Sequence, residues 1–240
     1  MKKITVAKSA GFCFGVDRAV KMVYNELEKK QHVATLGPII HNTDVVSDMQ
    51  RKGARIIETV SELKDNELVV IRSHGVGRDV YEQIAEKGNP MLDATCPFVA
   101  RIHKIVSEKA AEGYFILIAG DASHPEVQGI VGHCGENCMV FKDKTELQDF
   151  FEKKYTNLQK GVAIVAQTTY NIVVWDECLK IIPKDDPDIV IFDTICNATE
   201  ARQSDAEKLS READLMIVVG GKHSSNTVKL YDVCSKNCKT

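Results

Sequence analysis

The stretch Met91-Leu92-Asp93-Ala94-Thr95-Cys96-Pro97-Phe98-Val99-Ala100-Arg101 is an apolar run, a cysteine in a turn and the start of a helix. It recurs as Phe192-Asp193-Thr194-Ile195-Cys196-Asn197-Ala198-Thr199-Glu200-Ala201-Arg202, with the same Asp three residues before the cysteine and the same Ala-Arg at its end. A weaker third copy is Ala10-Gly11-Phe12-Cys13-Phe14-Gly15-Val16-Asp17-Arg18. A long-period repeat of this kind governs the architecture and is read before any motif. A second unit follows each cysteine at a constant distance. His41, His124 and Ser224 each stand 28 residues after their cysteine, just past an apolar run that ends in Gly37, Gly120 or Gly220. A third unit, Ile71-Arg72-Ser73-His74 and Val165-Ala166-Gln167-Thr168, is present in the first two copies only. Its third counterpart would fall beyond Thr240, as in a fragment of a longer chain.

Around these units strands alternate with helices. Residues 69–71, 114–118, 162–165, 189–192 and 215–219 are nearly continuous apolar runs, each followed by a charged, helix-like stretch. Continuous rather than alternating apolar strands indicate parallel sheets covered on both faces. Residues 1–6 read as a further strand; Lys8 and Ser9 break the apolar stretch too early for a secretory signal. The expected fold class is therefore α/β, as three small modules in pseudo-threefold arrangement. Module 1 covers residues 14–96, module 2 covers 97–187, and module 3 covers 188–240 together with strand 1–13. Pro183-Lys184-Asp185-Asp186-Pro187 marks the second boundary, and residues 142–160 form a polar helical excursion. Ligands of open parallel sheets bind beyond the carboxyl ends of the strands. Three modules with those ends inward would bring three cysteines together inside a ring of polar side chains.

Composition narrows the function. The chain has 240 residues, 44% hydrophobic and 27% charged, which is ordinary for a globular protein with a sizeable core. Thirty-one basic residues against 34 acidic ones give a net charge of −3, with no broad electrostatic footprint for nucleic acid. No apolar run approaches the roughly 18–20 residues of a membrane span. Eight cysteines without an export signal point to the reducing cytoplasm, where thiols are buried, catalytic or metal-binding. There is neither a dinucleotide fingerprint nor a phosphate-binding P-loop.

Each motif has a plain reading beside the chemical one. Cys13, Cys96 and Cys196 are either small buried hydrophobes or the ligands of a metal site. A 4Fe-4S cluster on three cysteines leaves one iron open as a Lewis acid and electron conduit. Three histidines at related strand ends, His41, His74 and His124, suit an anion such as diphosphate. Ser224-Ser225-Asn226 opens a helix, as an N-cap, an anion site or both. Glu126 is either a first-turn carboxylate favoured by the helix dipole or a functional acid tied to His124. Cys134/Cys138 and Cys234/Cys238 are both C-x3-C, a spacing that on a helix puts two sulfurs on one face and suits zinc, but packing is preferred for them and for Cys178.

Taken in order, Ala10–Ala19, His41-Asn42, Ser73-His74-Gly75-Val76, Asp93-Ala94-Thr95-Cys96-Pro97, Ser123-His124-Pro125-Glu126-Val127, Gln167-Thr168-Thr169, Ile195-Cys196-Asn197-Ala198-Thr199 and Ser224-Ser225-Asn226 closely resemble the LytB family of 4-hydroxy-3-methylbut-2-enyl diphosphate reductases. The resemblance spans nearly the whole chain. It implies a three-module trefoil around a 4Fe-4S cluster held by Cys13, Cys96 and Cys196. It implies that His41, His74, His124, Ser224, Ser225 and Asn226 bind the substrate diphosphate, that Thr168 contacts the hydroxyl region and that Glu126 supplies protons. The implied reaction is a two-electron reductive dehydroxylation giving isopentenyl and dimethylallyl diphosphates, the last step of the non-mevalonate isoprenoid pathway, with electrons from ferredoxin or flavodoxin. Family members continue past the Ser-Ser-Asn helix with another strand and a loop whose Ser also binds diphosphate. A zinc-dependent hydrolase on the same Cys and His, and a non-catalytic diphosphate-binding module, are the readings from other classes.

Overall fold

Two parallel sheets of one topology organise the first 191 residues of the chain. The computed structural model describes residues 3–29, 32–155, 158, 160–183, 185–222 and 224–240. In the first sheet, β1 (Val33–Leu36), β2 (Arg55–Ile57), β3 (Leu68–Ile71) and β4 (Met91–Asp93) lie in the order β2-β1-β3-β4. In the second, β5 (Phe115–Ala119), β6 (Cys138–Phe141), β7 (Val162–Ala166) and β8 (Ile189–Ile191) lie in the order β6-β5-β7-β8. All pairings are parallel, with Leu36 opposite Ile71 and Ala119 opposite Ala166 at the carboxyl ends of the central strands. The repeat seen in the sequence is thus a repeat of crossover units.

The unbroken apolar strands follow from burial on both faces. Val33, Leu68 and Val70 pack with Ala19 and Val23 of α1 (Phe14–Glu28) and Met49 of α2 (Thr43–Arg51). The intervening residues Ala34, Leu36, Val69 and Ile71 pack on the other face with Ile84 of α3 (Arg78–Lys87). Side chains alternate across a strand, so two covered faces demand apolar residues at every position. The second sheet repeats this. Ile116, Ile118, Ala163 and Val165 face α4 (Pro97–Ala111) and α5 (Pro125–Val131), whereas Leu117, Val162 and Ile164 face α6 (Lys144–Lys153) and α7 (Ile172–Leu179). Each fully buried aliphatic side chain contributes about 1.5–3 kcal/mol.

The third part differs from expectation in three places. Strand β8 pairs with β7, so residues 189–191 belong to the second sheet and not to the module placed after residue 187. Residues 215–219 form no ladder among the described residues; a single bridge joins Leu215 to Lys239, and Ile217 and Val219 are 78% and 90% exposed. An apolar run makes a strand only where a neighbour supplies hydrogen bonds. Residues 3–7 are also not a strand, with Ile4 90% exposed, and Met1 and Lys2 lie outside the described residues. What this part does contain is α8 (Asn197–Glu212) packed on α9 (Ser225–Cys234). The chain's start is tied to α8: Ser9 donates from N and Oγ to Asp205 Oδ2, at 3.1 and 2.9 Å. Lys184, in the expected boundary segment, lies outside the described residues. No helix among the described residues is long and apolar enough to cross a membrane.

Candidate active site

Cys13, Cys96 and Cys196 occupy one structural position three times: each is the N-cap of a helix, α1, α4 and α8. Capping favours Ser, Thr, Asp or Asn, whose oxygen accepts a first-turn N–H. Asn42, Asp143, Asn171 and Ser224 cap their helices in that way, and none of the three cysteines closes such a bond. Three times, then, the fold places a sulfur at the N-terminus of a helix, the end that carries the positive partial charge.

Backbone hydrogen bonds repeat the same symmetry. The N–H of Cys96 donates to Ser73 O at 2.9 Å, and the N–H of Cys196 donates to Thr168 O at 3.0 Å. The arginine of each repeat reaches the loop before the next cysteine. Arg18 donates to Thr95 O at 3.1 Å and Asp93 O at 3.4 Å. Arg202 donates to Ser9 O at 3.1 Å and Gly11 O at 2.9 Å. Arg101 lines a small cleft with Asp193, Thr194 and Ile195. The sequence shows these arginines only as spacing; the role of Arg18 and Arg202 as clamps between repeats appears in three dimensions. A Cβ on Gly15 would collide with the Cys96 sulfur, so α1 packs directly on that residue. Burial pushes the Cys96 thiol up; the first-turn N–H groups of Phe98 and Val99 draw it down, and the charges of Cys13 and Cys196 push it up again.

Those three sulfurs do not share the close spacing of a single-ion site. The one group of three or more ligating side chains within 4.8 Å, among the described residues, is His41, His74 and His124. Tetrahedral zinc at about 2.3 Å from each sulfur would hold sulfurs roughly 3.8 Å apart. A cluster with one thiolate per iron has no such demand, so a donor set of three cysteines at three helix N-termini fits a multi-iron group. Neither Cys134/Cys138 nor Cys234/Cys238 falls within a single helix, the condition for two sulfurs on one face, and Cys134 and Cys234 are buried. Cys134 lies in the turn after α5 and Cys138 opens β6, while Cys234 ends α9 and Cys238 lies beyond it. Cys178 is buried in α7.

The histidines close into a triangle. Ring centroids are 4.5 Å apart for His41 and His74, and 5.4 Å for each ring against His124. Burial lowers the pKa of His74 well below the usual range, helped by the charges of His41, His124 and Arg72. Burial also takes His124 down to about 4, with His41 and Arg72 adding to this and Asp121 opposing it. Both are therefore neutral near pH 7. His124 N-caps α5, its Nδ1 accepting the N–H of Glu126 at 3.1 Å, and His74 Nδ1 is buried without a hydrogen-bond partner.

Two residues further on, Glu126 is 2% exposed. Thr168 donates to it twice, from N to Oε1 at 2.6 Å and from Oγ1 to Oε2 at 2.8 Å. Burial raises the Glu126 pKa to about 7 against those bonds. From the third part of the chain, Ser224 N-caps α9, with Ser225 and Asn226 in its first turn. Thr169 Oγ1 donates to Ser225 Oγ at 2.9 Å, and Gln167 Nε2 donates to Thr169 Oγ1 at 3.1 Å. A Cβ on Gly221 would lie 2.6 Å from His41 O, so the loop before α9 runs against the histidine triangle. In the sequence Thr169 and Gln167 are only neighbours of Thr168; their bridge to Ser225 appears in three dimensions.

With this geometry in place, comparison with known proteins is decisive: the family model described as LytB protein matches residues 4–240. The chain belongs to the LytB family. It is 44% identical over 241 residues to the 4-hydroxy-3-methylbut-2-enyl diphosphate reductase of Thermoanaerobacter sp. (strain X514), covering 99% of this chain and 82% of the relative. It is 42% identical over 232 residues to the reductase of the same name from Clostridioides difficile (strain 630), covering 96% and 82%. Among solved structures, the E-1-hydroxy-2-methyl-but-2-enyl-4-diphosphate reductase from Plasmodium falciparum superposes with a TM-score of 0.88 at 29% identity, over 95% of this chain and 72% of that one. A second, (E)-4-hydroxy-3-methyl-but-2-enyl diphosphate reductase, described as the terminal enzyme of the non-mevalonate pathway, gives 0.73 at 38% identity over 98% and 83%. The α/β architecture of this LytB chain agrees with both.

Proposed function

We propose that this chain reduces 4-hydroxy-3-methylbut-2-enyl diphosphate by removing its allylic hydroxyl, giving isopentenyl and dimethylallyl diphosphates. The reaction consumes two electrons and two protons and releases water. The observation that carries this reading is the position of Thr168, which holds a buried, protonatable Glu126 with its N–H and hydroxyl and the Cys196 loop with its carbonyl.

In this reading Cys13, Cys96 and Cys196 hold a 4Fe-4S cluster. Bound there, the cluster supplies electrons and an open iron as Lewis acid. The chain's own residues do the rest. His41, His74 and His124 offer imidazole nitrogens to the diphosphate, and the free N–H groups at the start of α9 offer more, with the Ser224, Ser225 and Asn226 side chains. Anchoring the diphosphate holds the carbon chain in place and turns encounter into proximity. Thr168 orients the hydroxyl end. Glu126, with a pKa near the working pH, gives the departing hydroxyl its proton, the match that general acid catalysis requires. Ferredoxin or flavodoxin delivers the electrons singly, and we place the reaction in the cytoplasm, where thiols stay reduced.

Anaerobic reconstitution with iron and sulfide, followed by assay with a reduced one-electron donor, tests the reading. Both isoprenyl diphosphates should appear, with two electrons consumed per molecule. Hydrolysis of the diphosphate without electron consumption would instead support the zinc-hydrolase reading, and binding without turnover the non-catalytic module.

A further inference from the structure

Arg72 stands outside every role given so far. It follows β3 and immediately precedes Ser73-His74. Ser73 is pinned to the loop that carries His41, its N–H and Oγ both donating to Ile39 O, at 3.2 and 3.0 Å. The guanidinium turns back across the end of β1, where a Cβ on Gly37 would collide with Nη1. Gly37 also has φ +72°, so this position meets two demands at once: a left-handed turn and room for a cation.

The cation has no carboxylate partner. Arg72 forms no ion pair among the described residues, and its Nε is buried without a hydrogen-bond acceptor. Glu58 bears on it only through space. Yet it is the one permanent cation among the described residues whose charge acts on both His74 and His124. A guanidinium drawn partly out of water needs an anionic partner to offset the lost hydration. Its planar fork of donors matches a phosphate better than an ammonium does. His74 and His124, held neutral by burial, supply hydrogen bonds to a polyanion but no compensating charge, and a fixed positive group beside them supplies it.

We propose that Arg72 is a diphosphate-binding residue of this site, supplying the fixed positive charge beside His41, His74 and His124, with Gly37 keeping the space its guanidinium occupies. This rests on the reading above, that the histidine triangle takes the substrate diphosphate.

The test uses anaerobic holoenzyme and inorganic diphosphate as the probe, with Kd measured by titration calorimetry and KM and kcat measured with the allylic substrate. A charged hydrogen-bond pair corresponds to roughly 10- to 150-fold in affinity. Arg72→Met should weaken inorganic diphosphate by about that factor and raise KM to match, with kcat changing far less. It should also flatten the dependence of Kd on salt. Arg72→Lys should recover part of the loss, because it restores the charge without the fork. Arg72→Gln is the second neutral variant, and iron content and melting temperature identify a variant that has folded. A folded neutral variant that binds inorganic diphosphate within threefold of wild type, with an unchanged salt slope, overturns the proposal. If wild-type holoenzyme binds no inorganic diphosphate and reduces no allylic diphosphate, the functional reading falls and this role falls with it. If wild type does both and Arg72→Met is unchanged, the role of Arg72 alone falls.

Discussion

Thr168 holds Glu126 by both carboxylate oxygens, at 2.6 Å from its N–H and 2.8 Å from its hydroxyl. Two donors on a carboxylate favour the charged form, and full burial opposes it. Burial wins, and the Glu126 pKa rises from 4.5 to about 7. The pair thus makes an acid that can be protonated at neutral pH and is held in one orientation.

Glu126→Gln keeps the shape and loses the proton. Loss of general acid help should lower kcat by about 10²–10⁴ while iron content and KM change little. Wild-type kcat should fall as pH rises through about 7. Stability carries the same signature. Between the unfolded value of 4.5 and the folded value of about 7 the native state binds more protons, so this group's contribution is lost as pH rises. From pH 5.5 to 8 the stability of Glu126→Gln relative to wild type should therefore improve by about 2 kcal/mol. Denaturant melts of both holoproteins at the two pH values decide it; no change in the gap would mean that Glu126 is ionised throughout.

His124 works in the opposite sense. Its folded pKa of about 4 lies below the ordinary 6.5, so the unfolded chain binds more protons in that window. Its contribution to stability is full above 6.5 and is lost as pH falls towards 4. His124→Asn keeps an oxygen to cap α5 and removes the imidazole. We expect a KM raised roughly 10- to 150-fold, from one lost hydrogen bond to a charged group, and a shallower loss of stability between pH 6.5 and 5. A KM within threefold of wild type would remove His124 from diphosphate binding.

Much of this architecture was legible in the sequence because the repeat is written in residue types. The 28-residue spacing from Cys13 to His41 and from Cys96 to His124 reflects a helix and a strand of nearly constant length between two strand-end loops. Buried parallel strands such as 162–165 are apolar at every position and so stand out. Residues 215–219 look the same, yet a strand is a property of pairing, and only Leu215 is bridged. Strand 189–191 pairs with β7, across the boundary expected after residue 187, because the sequence marks where a strand is, not which sheet it joins. Arg18 and Arg202 stand in the repeat as a visible pattern but are mute as to function, since their acceptors are backbone carbonyls, and a carbonyl has no sequence signature.

The cysteines divide by position. Replacing Cys13, Cys96 or Cys196 by Ser should abolish the iron and sulfide content of the reconstituted protein and the visible absorbance that goes with it. Cys134→Ser and Cys234→Ser should retain both, because those sulfurs lie outside the three N-caps. Metal analysis of the five variants is the measurement, and full iron loading of Cys196→Ser would break the assignment.

The last prediction concerns the seam that sets the distance between His74 and His124. Helix α5 is capped by His124 at its start and by Gly132 at its end, and Gly132 meets Gly77, which N-caps α3 three residues after His74. A Cβ on Gly132 would lie 2.5 Å from Gly77 Cα, backbone against backbone, where neither side can yield by a rotamer change. Beside it, a Cβ on Gly75 would collide with His103, whose ring stacks on His133 at 4.2 Å. Gly132 itself has helical backbone angles, so alanine there is objectionable only for the space it takes. Gly132→Ala should therefore cost about 1–3 kcal/mol as overpacking, a fall in Tm of roughly 2–12 °C for a chain of this size. It should also lower kcat/KM, because any relief moves α5 and with it His124 and Glu126 away from His74. Gly129→Ala is the contrast one turn earlier. Its nearest neighbours stand at 3.4 and 3.5 Å, ordinary contact, and alanine is the better helix former by about 1 kcal/mol. Gly129→Ala should thus melt at or above wild type. Thermal melts and steady-state kinetics of the two variants side by side test the seam; equal Tm values would show that the close approach of Gly132 and Gly77 does not hold the two histidines in register.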